Sequence, residues 1–358
     1  MKNYIQGKSS SACTIEGNAN LNKYSRAIYL FINTINNLFP NMFVDKRISI
    51  NNYEVDLNKN INSIVEGRST PSRFLCNIFW SLFPWGKASE LLGNINMLDL
   101  GCGEGYLTKR LLSQYGKKNI NKYIGIDVSS DYKMWSDISN SHKNAKFKSI
   151  KNVLDIDSYM EGDTNFLITQ SVLEHIDTDI ELFKFLKEYI YFNRKPFIQV
   201  HLFPSAACLW LYLYHGYRQY HPRSISRLTK IFDDDNTNVN LFRLGGSQSF
   251  QIQMDKFSSQ IYQTDYMPKQ YSENSISQLR FYSRYIFSHF LINSRKKEEY
   301  WRIRNQSLNA HKLNTDNNIT RSYNNLLVPA IKNDMLSSDN CPLFYALIIT
   351  SFLDEYIF

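Results

Sequence analysis

The chain has 358 residues, 43% of them hydrophobic, with a formal net charge of +8, so it can bury a sizeable core in one large domain or one domain with an insertion. Scattered Lys and Arg form no basic stripe, and the five cysteines (Cys13, Cys76, Cys102, Cys208, Cys341) form no CxxC pair, which argues against nucleic acid as a partner and against a zinc or disulfide framework. No apolar run reaches the roughly 20 residues of a membrane span, and the N-terminus lacks a signal-type apolar core, so a cytoplasmic protein with no transmembrane segment is expected.

Residues 1–65 are polar and Asn-rich and read as an N-terminal extension; residues 66–358 read as the main domain. In "RSTPSRFLCNIFWSLFPWG" the apolar positions 74, 75, 78, 79, 82 and 83 follow helical spacing, predicting a buried helix closed at Pro84 and Gly86. From Ile95 strands and helices alternate. "INMLDLG" predicts a strand and "GYLTKRLLSQYG" a helix; "KYIGIDV" predicts a second strand, followed by a helix over 130–140. "AKFKSI" and "TNFLITQSV" predict the third and fourth strands, "DIELFKFLKEYIYF" a helix and "PFIQVHLF" the fifth strand. Such alternation implies right-handed crossovers and a parallel sheet that binds ligands beyond the carboxyl ends of its strands. "PSAACLWLYLYHGYRQYHPRSISRLTKIF" predicts two helices and a loop, and "VNLFRLGGSQSF" a sixth strand. "CPLFYALIITSF" predicts a returning antiparallel strand, making residues 251–340 a largely helical insertion with an amphipathic helix over about 273–304.

The chemistry concentrates in "MLDLGCGEGYLTKRL", residues 97–111. A glycine-rich turn from strand into helix lets backbone approach a ligand, and helix N-terminal amides face it. Dinucleotide-binding GxGxxG wants a glycine where Tyr106 stands; here the spacing is GxGxG, through Gly101, Gly103 and Gly105. With Asp99 two residues before the first glycine, "DLGCGEG" resembles motif I of the class I S-adenosylmethionine-dependent methyltransferases. "YIGIDVS" ends the second strand in Asp127, where an acidic residue can accept both ribose hydroxyls. "VLEH", residues 172–175, is similar to the segment that lines the methionine end of the cofactor in that family, and "HGYRQYHPRSISRL" resembles a segment these enzymes carry after the fifth strand. The resemblance covers roughly 68–250 and 341–352.

The resemblance implies a Rossmann-like α/β fold with a mostly parallel seven-stranded sheet and an antiparallel last strand. It also implies S-adenosyl-L-methionine as cofactor, held by Asp99, Gly101, Cys102, Gly103, Gly105, Asp127, Val128, Asn152, Gln170 and Ser171. Asn152 and Asp155 both remain open for the adenine contact, and Asn165 stands where the fourth strand commonly opens with aspartate. In-line methyl transfer to a hydroxyl would need a base, for which His201, His175 and His215 are candidates; His201 is expected at the carboxyl end of the fifth strand. Tyr217, Arg218 and Tyr220, with His215 and His221, read as a substrate lid. No metal cluster is visible in the sequence, so a metal-free reaction is expected. The expected acceptor is a small molecule or glycan, with a sugar hydroxyl first; the alternatives are a small-molecule, lipid or protein methyltransferase of the same fold, or a non-catalytic adenosylmethionine-binding or interaction protein.

Overall fold

The computed structural model describes residues 7–54, 70–130, 132–211, 214–233, 236–253, 327–337, 341–353 and 357–358. The amphipathic helix expected at 273–304 lies outside them, as does most of the insertion.

Helix α1 (Lys23–Asn37) starts where the Asn22 side chain accepts the Ser25 N–H, and a short strand β1 (Ser49–Asn52) follows. Helix α2 (Pro71–Leu82) is capped by the Thr70 side chain, with Pro71 supplying the pre-set φ of a first helical turn. Pro84 does not end the helical region: it opens a second helix, α3 (Trp85–Leu92). The βα alternation then runs through β2 (Ile95–Leu100), α4 (Tyr106–Arg110, continued as a π-turn to Tyr115), β3 (Ile120–Asp127), α5 (Lys133–Ser141), β4 (Ala145–Ser149), β5 (Phe166–Gln170), α6 (Asp179–Asn193) and β6 (Phe197–Pro204). Next come α7 (Cys208–Leu211), α8 (Pro222–Thr229), β7 (Thr237–Leu244), α9 (Ser247–Gln253), α10 (Val328–Leu336) and β8 (Phe344–Ser351).

Among the described residues one sheet of eight strands results, in the order β1-β7-β8-β6-β5-β2-β3-β4. Its seven-stranded portion is mostly parallel, with β8 antiparallel between β6 and β7, as the class I methyltransferase fold requires. The eighth strand is β1, which lies inside the stretch expected to be only an N-terminal extension. Ser49–Asn52 pairs in parallel with Asn240–Arg243 and covers the β7 edge. "SINN" has no apolar alternation to mark it as a strand, since an edge strand buries little.

Helices pack on both faces. Phe74, Phe79, Trp80 and Trp85 of α2 and α3 cover one face; Ile180, Phe183 and Leu186 of α6 with Ile225 of α8 cover the other. Central strands β6 and β8 are buried along their whole lengths, which explains the apolar run of β8 and leaves Gln199 and His201 of β6 inside. Asn165 ties β5 to its neighbour: its Oδ1 accepts the Asn96 N–H at 2.9 Å while its Nδ2 donates to the Asn94 carbonyl at 2.7 Å. A carboxylate in that place could not make the second bond.

Candidate active site

The strand-to-helix turn after β2 is held by backbone. The N–H groups of Gly101 and Cys102 both donate to the Ile126 carbonyl, at 2.7 and 3.1 Å, so the turn lies across the end of β3. Gly101 (φ +76°) has no room for a side chain, because a Cβ would come within 2.2 Å of Val172 Cγ2. Gly103 (φ +55°) is the opposite case: nothing lies within 4 Å of its Cβ position, so its bare backbone faces open space. The Trp135 indole donates to its carbonyl at 2.8 Å. Gly105 is absent from the cleft wall; it begins α4 in the left-handed region, where a Cβ would press on Ile138 at 2.8 Å.

Around this turn opens a cleft of about 850 Å³ at the carboxyl ends of β2, β3, β4 and β5. Asp99, Gly101, Cys102, Gly103, Asp127, Val128, Asn152, Gln170 and Ser171 all line it. Asp155 does not, so of the two candidates for the adenine contact only Asn152 lines the cleft. The Asp127 carboxylate accepts the Gly103 N–H at 2.9 Å and the Ser129 N–H at 3.2 Å. A carboxylate has about four acceptor sites, so two remain for a ligand. Asp99 is 1% exposed; its Oδ2 accepts the Tyr123 hydroxyl at 2.5 Å, and Tyr123 shares a second bond with Thr108 at 2.6 Å. Burial pushes the Asp99 carboxyl up to about 7; the Tyr123 bond opposes this and the charge on Asp127 adds to it. Burial likewise keeps the Cys102 thiol protonated, as a filler rather than a nucleophile.

Helix α2, expected only as core, also contributes to the wall. Its Trp80 indole fixes Gln170 Oε1 at 2.7 Å, and Arg73 and Asn77 line the cleft. Asn77 is 3% exposed and its amide nitrogen has no hydrogen-bond partner, a donor held ready at the wall. No motif marks it; only the helical period, which puts 73, 77 and 80 on one side of α2, points there.

The histidines divide. His201 is not at the end of its strand, because β6 continues to Pro204, and it is not on the cleft wall. It is fully buried mid-sheet, with its ring nitrogens near Thr169 Oγ1 (3.0 Å) and Gln199 Oε1 (3.3 Å) and its ring 5.0 Å from that of Phe183. Burial pushes its pKa down to about 3, so it cannot serve as the base expected of it. His221 is also structural: Nδ1 accepts the Ser224 N–H at the start of α8, and burial holds it neutral.

His175 is on the cleft wall. It follows Glu174 in a 3₁₀ turn, Leu173–His175, and its ring lies 4.7 Å from that of His215 at 88°. His215 Nε2 is 3.6 Å from Glu174 Oε1, and Glu16 Oε1 is 3.6 Å from His175 Nδ1. Burial, then the neighbouring His215, holds His175 below its ordinary pKa against the opposing pull of Glu174 and Glu16. Glu174 itself is 0% exposed, and neither carboxylate oxygen has a hydrogen-bond partner.

The expected substrate lid does another job. Arg218 is buried in an ion pair with Asp179 (2.9 Å) and donates to the carbonyls of Ile176 and Asp177. The single Tyr220 O–H is shared between Asp179 (2.9 Å) and the Leu173 carbonyl (3.1 Å), and Ser10 completes the set on Asp179. Neither Arg218 nor Tyr220 lines the cleft, nor does the half-buried Tyr217. Together they lock residues 215–221 onto the turn carrying Glu174 and His175. The segment also meets the N-terminal region, where Gly17 N–H donates to the Gly216 carbonyl at 2.7 Å and Tyr29 donates to the His215 carbonyl at 3.0 Å.

Fold and cleft together define a Rossmann-like protein of the class I methyltransferase architecture. No protein-family profile matches the chain, and no curated protein matches it in sequence. Among solved structures it is similar to the plantazolicin methyltransferase BamL in complex with a triazolic desmethylPZN analog and SAH (13% identity, 83% of this chain and 100% of that one, TM-score 0.40). It is also similar to a putative sarcosine dimethylglycine methyltransferase from Galdieria sulphuraria (10%, 80% and 86%, 0.39) and to geranyl diphosphate methyltransferase in complex with SAM (11%, 79% and 90%, 0.35). Likenesses this distant say nothing about substrate or mechanism. Among the described residues no helix is long and apolar enough to cross a membrane.

Proposed function

We propose that the chain is an S-adenosylmethionine-dependent methyltransferase that methylates a hydroxyl of a sugar or glycan. The observation that carries the reading is the cleft at the end of β2 and β3, where the open backbone of Gly103 lies beside an Asp127 carboxylate with two acceptor sites to spare. Bound adenosylmethionine would supply a methyl group on a sulfonium. Asp127 would accept the ribose hydroxyls and Asn152 would edge the adenine. Asp99, Gln170 and Ser171 would meet the methionine end, with Trp80 holding Gln170 in place. The donor set fits: acceptors stand where hydroxyl and ammonium groups would arrive, and glycine leaves room for close approach.

A hydroxyl acceptor favours this site because it must lose a proton as its oxygen takes the methyl carbon and the sulfur keeps the bonding pair. Glu174, His175 and His215 are where that proton would be lost, since His175 lines the cleft wall. Arg73, Asn77 and Asp177 make that wall polar, which suits a polyhydroxylated acceptor better than a lipid chain. In-line transfer needs little more than positioning. The test is methyl-labelled cofactor incubated with fractionated glycans, lipids and proteins of the source cell. Label in a glycan fraction supports the reading, label only in protein or lipid moves the acceptor, and no stabilisation by adenosylhomocysteine refutes the cofactor.

A further inference from the structure

Glu174, His175 and His215 each offer one ligand atom within 4.8 Å of the other two. We propose that they form a site for a divalent first-row transition ion at the edge of the cleft, with His175 as the ligand shared with the cleft wall. This departs from the expectation of a metal-free reaction; that the ion would meet an acceptor hydroxyl rests on the proposed function, while its binding does not.

Three observations carry the site. Glu174 is the first: neither oxygen of this fully buried carboxylate accepts a hydrogen bond, and its contact with His215 Nε2 at 3.6 Å is charged only when that imidazole is protonated, so the carboxylate is costly to keep unless something further answers it. The ion pair that answers the neighbouring Asp179 is spent there, on Arg218. The second is donor type and spacing. Two imidazoles and a carboxylate are an N₂O set suited to zinc, cobalt, manganese or iron. Donors at roughly 2.0–2.1 Å from a four-coordinate ion stand about 3.4 Å apart. The 3.6 Å between His215 Nε2 and Glu174 Oε1 is already close to that spacing.

The third is support around the ligands. Glu16 stands 3.6 Å from His175 Nδ1, the place a carboxylate takes when it orients a ligating imidazole. The His215 backbone is pinned through its carbonyl by Tyr29 and Gln219, and the Gly216 N–H by Asn18 Oδ1 at 2.9 Å. Tyr217 N–H donates to the Glu174 carbonyl at 2.7 Å, and Gly216 approaches that carbonyl so closely that a Cβ would come within 2.4 Å. The two ligand-bearing turns are therefore fastened to each other by backbone.

The full-length chain, stripped with chelator and dialysed, should bind Co²⁺ or Zn²⁺ at one equivalent by calorimetry, and Co²⁺ should give a visible absorption band of low-symmetry nitrogen and oxygen ligation. His175→Ala and His215→Ala should each weaken binding at least about tenfold and abolish the band, and Glu16→Gln should weaken it less. His142→Ala, at the C-terminal cap of α5 and outside both the cluster and the cleft wall, should leave it unchanged. Glu174→Gln is informative only if its melting temperature shows a folded protein; the two histidine variants decide the matter without it. No binding by the folded wild type, or binding indifferent to both histidine variants, overturns the proposal. Adenosylhomocysteine binding, followed in the same preparations, reports on the cofactor site separately, so either reading can fail while the other stands.

Discussion

Replacing Asp127 by asparagine isolates one carboxylate oxygen. In the native structure the carboxylate holds the Gly103 and Ser129 N–H groups and keeps acceptor capacity facing the cleft. The amide of the variant would retain one acceptor oxygen and turn the other into a donor, so at least one ribose hydroxyl loses its charged partner. Bonds to charged groups are worth about 1.5–3 kcal/mol, which corresponds to a loss of affinity of about 10- to 150-fold. One of the two loop N–H groups also loses its acceptor, at about 0.5–1.5 kcal/mol. In a chain of this length a kilocalorie moves the midpoint by about 1 °C, so Asp127→Asn should remain folded with a Tm within a few degrees of wild type. Calorimetry with adenosylhomocysteine gives the affinity, and thermal unfolding without ligand gives the control. An affinity within threefold of wild type in a folded variant would place the ribose elsewhere and remove the main support for the cofactor assignment.

Asp99 makes a pH prediction. Its pKa is near 7 when folded against about 4 when unfolded, so the native state holds a proton that the unfolded chain has released between those values; its favourable contribution is full below about pH 4 and is lost as pH rises through 7. Asp99→Asn should flatten the fall in stability across that window, and if an arriving ammonium group charges Asp99, adenosylhomocysteine binding at pH 6.5 should release protons, seen as a dependence of the heat on buffer ionisation enthalpy. The two turn glycines should behave differently. Gly101→Ala should damage the fold through Val172, whereas Gly103→Ala should cost only about 1–2 kcal/mol of left-handed strain while cutting cofactor affinity; equal effects would refute the distinction. His201→Asn should lower Tm and leave cofactor affinity within threefold, and a selective loss of kcat would return it to the site. Arg218→Met should strand the Asp179 charge, costing about 3–5 kcal/mol and lowering Tm by several degrees; a Tm equal to wild type would show that the pair is not structural.

The glycine-lined part of the cleft was legible because its signals are local. Gly101 and Gly103 sit in a contiguous turn and Asp127 ends a strand with a clear apolar run, so periodicity and glycine spacing place them without tertiary knowledge. The part around the histidines was not. Nothing in "QVHLFP" says that the strand continues three residues past His201, and that extension is what buries it. Arg218 and Tyr220 look like exposed recognition residues, and only the arrival of Asp179 from α6 and Ser10 from the N-terminus makes them internal. Edge strand β1 carries no alternation, and the helical stripe of α2 reads as core although Asn77 on the same helix turns toward the cleft.

Sequence separation has a consequence for the order of assembly. The bond from Gly103 to Asp127 spans 24 residues, whereas that from Gly216 to Asn18 spans 198 and that from Ser10 to Asp179 spans 169. Closing long loops costs chain entropy before any contact repays it, so the glycine turn beside Asp127 can form from its own stretch of chain while the floor under His175 and His215 waits for the first thirty residues to dock. Hydrogen exchange should show this as two tiers of protection, with amides of β2 and β3 opening only on global unfolding and those of 16–18 and 215–217 opening together at lower free energy.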